Sequence, residues 1–205
     1  MTGQRIGDFE IIDVYDLKQE KFEKFRDEHD DFEYWEEGEI PYTSEEYRDL
    51  LFGDLQRGQA FTVAKYFGSG GKVVLPDGVT QLSSSLFEGN EKITSVIIPD
   101  SVQIISDRAF KNCSALEEIV LGNGITEISS YAFYGCAALK EIKFPDSLID
   151  ICTGAFEGCS ALTQVVIGGD VRTLEDNAFK DCQSLSRVQL CEGLSRICCA
   201  KCERV

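Results

Sequence analysis

AFYGCAAL, residues 132 to 139, returns with small changes as SLFEGNEKI at 85 to 93, AFKNCSAL at 109 to 116, AFEGCSAL at 155 to 162 and AFKDCQSL at 178 to 185. Phe87, Phe110, Phe133, Phe156 and Phe179 therefore stand 23 residues apart without an insertion. Cys113, Cys136, Cys159 and Cys182 form a second column in which Asn90 fills the first place. Ile93, Leu116, Leu139, Leu162 and Leu185 form a third. A period this strict points to a solenoid, because one short lap cannot bury its own apolar face whereas stacked laps share a continuous core.

Within one lap, Leu116 to Cys136, Ile119 and Leu121 alternate with Glu118 and Val120, and a period of two marks a short strand with one inward face. Stacked laps then pair these strands in parallel, about 4.8 Å apart. Gly122-Asn123-Gly124 turns the chain, a place where glycine tolerates positive φ, and Pro99 or Pro145 starts the turn in other laps. Ile125 and Ile128 open a second extended stretch, after which Ala132-Phe133 sets a small residue beside a large one where the lap closes. The cysteine column Cys113, Cys136, Cys159 and Cys182 is read as structural and reduced, each thiol a small hydrophobe whose S–H faces turn carbonyls, with the Asn90 amide making the same local bonds. Cross-linking along the column would need Cα atoms within about 4.4 to 6.8 Å and suitable Cβ directions.

The pattern L-x-x-I-x-L-P-x-x-I/V-x-x-I-x-x-x-A-F-x-x-C-x-x-L, fullest from Ser95 to Leu190 and looser from Lys72, resembles the leucine-rich repeats of the BspA-like, Treponema-type cell-surface antigen family. That resemblance implies a right-handed coil with short parallel strands on its concave face, and a role in binding proteins, matrix or other cells. It brings no catalytic residues with it. Export is common in such proteins, whereas the start MTGQRIGDFEIIDVYD is acidic and lacks the apolar core of a signal peptide. As written the chain reads as cytoplasmic; removal of an export signal would make it extracellular or cell-surface.

The formal net charge of -16 opposes attachment to nucleic acid or an anionic membrane, both of which need a basic surface. Residues 1–60 carry 18 acidic and 7 basic side chains, a balance of -11, which sets them apart as a helical N-terminal region. Phe22, Phe25, His29 and Phe32 recur at helical spacing, so Asp16 to about Tyr34 reads as an amphipathic helix. Thr43 and Glu46 make a capping box for a second helix whose apolar stripe is Tyr47, Leu50, Leu51 and Leu55. These helices would cap the first coil or dock a partner, and Tyr34-Trp35 would pack there or form a platform. The expected fold is thus an α/β leucine-rich-repeat solenoid with a 23-residue period and an N-terminal helical cap. Residues 61–71 are a linker or a degenerate first coil, with Ala64 in the phenylalanine column and Phe67 in the cysteine column. The solenoid runs from 72 to 205 and ends in an irregular or truncated coil.

Chemistry is sparse. No run approaches the roughly 18 to 20 apolar residues that span a bilayer. His29 is the single histidine, remote in sequence from the cysteines, so no nucleophile and base are paired. Gly68-Ser69-Gly70-Gly71 precedes Lys72 but lacks the Walker pattern. Cys191, Cys198, Cys199 and Cys202 leave three readings open: structural thiols, a disulfide, or half of a zinc site. No enzyme, metal or cofactor is expected.

A binding module fits better. Outward strand positions form a column Val74, Ile97, Val120, Lys143, Val166, Gln189, beside a second column Ser95, Glu118, Glu141, Gln164, Arg187. An apolar stripe at solvent marks a contact site, so this face is expected to bind an unidentified protein or peptide ligand. The plainer account is that β-branched residues merely favour strands and the chain is a structural spacer or fragment of a larger surface protein.

Overall fold

The computed structural model describes residues 4–13, 61–168, 170–190 and 196–197. One wall of the molecule is a nine-stranded sheet. Its N-terminal edge holds β1 (Gln4–Ile6), β2 (Phe9–Asp13) and β3 (Phe61–Tyr66). Facing it are β4 (Gly71–Val74), β6 (Ile93–Ile97) and β8 (Glu118–Val120) in one sheet, and β11 (Gln164–Ile167) and β13 (Arg187–Leu190) in another. Between these, β5 (Gln81–Leu82), β7 (Ile104–Ile105), β9 (Glu127–Ile128), β10 (Asp150–Ile151), β12 (Thr173–Leu174) and β14 (Arg196–Ile197) continue the nine-stranded sheet, one per lap. Pairing along the laps is parallel and in register at the sequence period: Gln81↔Ile104, Ile104↔Glu127, Glu127↔Asp150, Asp150↔Thr173 and Thr173↔Arg196.

The core lies between the walls and is built from the sequence columns. Phe110, Phe133 and Phe156 are fully buried and Phe87 nearly so. Their rings stack almost parallel, with centroids 4.9 Å apart for Phe87–Phe110, 5.1 Å for the next two steps and 5.3 Å for Phe156–Phe179. This spacing matches the separation of paired strands, so rings and backbone share one rise.

Among the described residues there is no helix, which corrects the α/β class to a parallel β-solenoid. The reason is visible at the corner of each lap. Ser85, Arg108, Tyr131, Gly154 and Asn177 all have φ between 56° and 61°, and a second left-handed residue follows four positions later at Gly89, Asn112, Gly135, Gly158 and Asp181. Two such residues per lap stop any right-handed helix. Alternate amides then reach out of the lap altogether. Phe87, Phe110, Phe133 and Phe156 donate N–H to Ala109, Ala132, Ala155 and Ala178 carbonyls of the next lap, each at 2.8 Å. Local bonds such as Cys113 N–H to Phe110 O fill the places between.

The helical N-terminal cap is likewise corrected. The element at that edge is a β-hairpin, β1 and β2, whose second strand pairs antiparallel with β3. Phe9 and Ile11 are buried on either side of half-buried Glu10, an alternation that buries one face against the first coil. Gly7, at φ 58°, and Asp8 close a two-residue loop between paired Ile6 and Phe9. The helices expected over Asp16 to Tyr34 and from Thr43, with His29 and Tyr34-Trp35, lie outside the described residues, as do Cys191, Cys198, Cys199 and Cys202.

Two finer points also shift. Gly122 and Gly124 do not use positive φ; a Cβ on them would come within 2.3 Å of Pro99 O and 2.0 Å of Asp100 O, so they are needed where the turn presses on the preceding lap. At the start of the stack β3 pairs with β5 at a spacing of 19 residues, Thr62↔Gln81. Tyr66, rather than Ala64, meets the Phe87 ring edge-on at 5.1 Å, and Phe9 meets Tyr66 at 5.3 Å.

The ring stack gives a direct test. Phe133→Ala removes a ring sandwiched on both sides and should cost about 3–5 kcal/mol in urea unfolding. Phe179→Ala, at a half-buried ring, should cost distinctly less. Equal losses at the two sites would show that stacking through the stack interior adds nothing.

Candidate interaction face

The strands β4, β6, β8, β11 and β13 carry the two outward columns. Register places Lys72 opposite Ser95 and Val74 opposite Ile97, then Ser95 opposite Glu118 and Ile97 opposite Val120. Farther along, Gln164 lies opposite Arg187 and Val166 opposite Gln189. Val74 is 56% exposed, Val120 47% and Val166 48%, while Ile97 is half-buried. Lys143 and Gln189 are exposed and interrupt the apolar stripe. In the neighbouring column Glu118, Glu141, Gln164 and Arg187 are exposed and Ser95 is half-buried, its hydroxyl donating to Glu118 at 3.3 Å.

The face is divided at the lap that holds Glu141 and Lys143. Pairing there shrinks to one bridge, Glu141↔Gln164, with a single long amide bond of 3.5 Å from Lys140 to Glu117 on the other side. Pro145 is not the cause, since Pro99 follows an intact β6. What differs is Phe144, which takes the place held by Ile98 and Leu121 and turns its ring edge-on to Phe156 at 5.6 Å. The lap that carries this ring is the one whose pairing is reduced to a bridge.

Charge along the laps follows the same register. Lys111 meets Glu88 at 3.0 Å and Lys140 meets Glu117 at 2.6 Å, each lysine 23 residues after its glutamate, and Lys180 meets Glu157 in the same relation. The Ser85 hydroxyl and Lys111 hold the Glu88 carboxyl below the usual range, and Lys140 does so for Glu117. At Glu118 the residue 23 positions on is another glutamate, Glu141. Among the described residues neither of these two carboxylates forms an ion pair.

At the N-terminal end of the stripe a groove of about 320 Å³ lies against Val74, Pro76, Tyr66 and Ile6, the last 42% exposed. Sequence reading missed it because it placed the start within an acidic helical region of residues 1–60; the signal was Ile6-Gly7-Asp8-Phe9, two apolar ends around a glycine turn. Gly70 and Gly71 beside it commit their amides internally, to the Tyr66 hydroxyl at 3.2 Å and the Lys92 carbonyl at 2.7 Å.

Cys113, Cys136 and Cys159 are buried and Cys182 half-buried, all as free thiols. Each Sγ donates to the phenylalanine carbonyl one lap back, Phe87, Phe110, Phe133 and Phe156, at 3.0 to 3.2 Å. Asn90 behaves differently: its Oδ1 accepts from the amides of Lys92 and Ile93 within its own lap. Burial pushes the Cys113 thiol up to about 12 and the Cys182 thiol to about 11, and raises Cys136 and Cys159 as well. Half-buried Cys152 is pushed up to about 12 by burial and then by Glu175 and Glu127. No group of three or more metal-ligating side chains is assembled among the described residues, and no helix there is long and apolar enough to cross a membrane.

Residues 71–201 match the BspA type leucine rich repeat region in six copies. A leucine-rich repeat protein of Treponema pallidum is similar at 36% identity over 63% of this chain and 63% of that one, with a TM-score of 0.62. A leucine-rich repeat protein of Bacteroides ovatus is 32% identical over 65% of this chain and 37% of its own, TM-score 0.60. A leucine rich cell surface protein of Faecalibacterium prausnitzii is 29% identical over 68% and 40%, TM-score 0.62. The match thus covers less than two thirds of the length of each of these structures. No curated protein matches the chain.

The thiols yield a prediction. A native Cys113 that keeps its proton to about 12, against an unfolded value near 9.0, stabilises the fold fully below pH 9.0 and loses that contribution as pH rises toward 12. Cys113, Cys136 and Cys159 should therefore resist iodoacetamide in the native state at pH 8 and react fully in urea, with urea midpoints falling above pH 9. Rapid native labelling, followed by peptide mapping to these three positions, would contradict the buried column.

Proposed function

Since this chain belongs to the BspA-type leucine-rich repeat family, we propose that it is a non-catalytic recognition module that uses the outward face of β4, β6, β8, β11 and β13 to bind a protein ligand. The observation that carries this reading is the exposure of Val74, Val120 and Val166 in one column, where a soluble surface gains nothing from apolar side chains. The binding face comprises Val74, Ile97, Val120, Lys143 and Val166, with Glu118, Glu141, Gln164 and Arg187 giving polar selectivity beside it. The cell-surface description of the Faecalibacterium relative supports an extracellular or surface setting for this chain too. A second reading, a spacer within a longer surface protein, draws support from the interruption of the stripe by Lys143.

The triple variant Ile97→Asp, Val120→Asp, Val166→Asp separates the two. It should keep its circular dichroism spectrum, since all three side chains point outward, and lose at least tenfold in capture of any specific partner from host or source-organism extracts. Equal capture by a folded variant would move recognition off this face and favour the spacer.

A further inference from the structure

The strand face carries enough geometry to name the form of its partner, an inference that rests on the reading of that face as a recognition surface. The stripe runs across the strands, so successive anchor points are one strand spacing apart, about 4.8 Å. An extended peptide laid along it would repeat same-face side chains every 6.6 to 6.8 Å, roughly, and fall out of step within three laps. An α-helix rises about 5.4 Å per turn, so one apolar side chain per turn stays close to one valine or isoleucine per lap. The distance from Val74 to Val166 is four strand spacings, about 19 Å, which a helix covers with roughly 13 residues.

Charge decides the rest. Glu118 and Glu141 occupy the same register position in consecutive laps, immediately beside the stripe, and the lysine that compensates Glu88, Glu117 and Glu157 one lap on is absent here. The two carboxylates face one another across the break in strand pairing between Val120 and the lap of Glu141, and like charges so placed do not help to close it. A helix with an apolar stripe presents its flanking side chains above this column, and lysine or arginine there would supply the missing countercharge. We infer that the partner presents a basic amphipathic helix, its apolar side chains on Val74, Ile97 and Val120 and a cationic flank over Glu118 and Glu141. The chain's net charge of -16 would speed encounter with such a segment.

The test uses the full chain and two synthetic peptides, one of three Leu-Lys-Lys-Leu-Leu-Lys-Lys heptads and one with glutamate in place of each lysine, followed by calorimetry at low and high salt. The lysine peptide should bind saturably and more weakly at high salt. Glu118→Gln with Glu141→Gln should weaken it roughly tenfold, while Glu127→Gln with Asp150→Asn, the same charge change on the opposite sheet, should alter it less than about twofold. In the absence of peptide, Glu141→Gln should raise Tm by about 1–3 °C at low salt, because it removes the like-charge neighbour. Equal weakening by both double variants would show diffuse attraction and overturn the inference. If the glutamate peptide binds as tightly and the triple stripe variant abolishes both, the face reading stands and the basic helix falls. No saturable binding of the lysine peptide also overturns the basic helix, and the capture experiment then decides the face alone.

Discussion

The stacked phenylalanine is the unit on which the rest of the structure depends. Its ring meets the ring of the next lap at 4.9 to 5.3 Å, its N–H donates to the alanine carbonyl of the next lap, and its carbonyl accepts the cysteine Sγ of that lap. Ring, backbone and thiol are therefore held at a common rise. An inserted residue anywhere in the lap would shift at least one of the three, which is why the spacing holds at 23 through five copies. The small residue before the ring follows from the same constraint: Ala109, Ala132, Ala155 and Ala178 are fully buried where neighbouring laps come closest.

Constraint on the inside leaves freedom on the outside. Every inward position faces its own equivalent above and below, so the same residue type suits each lap. Outward positions face solvent and need match only their lap neighbours in charge. Three glutamates find a lysine in that relation, Glu88, Glu117 and Glu157, and a pair as exposed as Glu117–Lys140 is worth little. The exception at Glu118 and Glu141 therefore costs little to retain and changes the field over the face considerably. A scaffold of this kind varies its binding surface without touching its core.

This division also explains what could be read from the sequence. The period, the strand columns and the family were legible because each rests on repetition, and a repeated environment leaves a repeated letter. The outward columns run through Glu141 and Lys143 as evenly as through Glu118 and Val120, yet only the lap of Glu118 forms a strand. The lap of Glu141 keeps only a bridge, a local outcome with no periodic signature. The N-terminal edge was misread for a related reason. Its hairpin occurs once, so its signal was the local Gly7-Asp8 turn, and Tyr66, 21 residues before Phe87 in a coil whose strand register is 19, lies off the main period. The α/β expectation rested on the family resemblance and on helices read at Asp16 to Tyr34 and from Thr43, outside the described residues, whereas the laps themselves, with two left-handed residues each, hold no helix. The candidate face was legible as columns, but its degree of exposure and its division were not.

The division of that face has its own consequence. Val74, Ile97 and Val120 sit on one continuous three-stranded sheet, whereas Val166 belongs to a separate pair of strands. Between them lie Glu141, Lys143 and a backbone held by one bridge on one side and one long amide bond on the other. On the opposite wall the ladder continues through the same lap without a break, β9 to β10 to β12. The two walls therefore resist bending unequally at this point, and the core ring Phe156, gripped by Phe133 and Phe179 in the stack and by Phe144 at its edge, keeps the lap in place. The lap of Glu141 is thus held by the ring stack and the opposite wall more than by pairing on this face, and the outward apolar column is divided there into two separately paired parts.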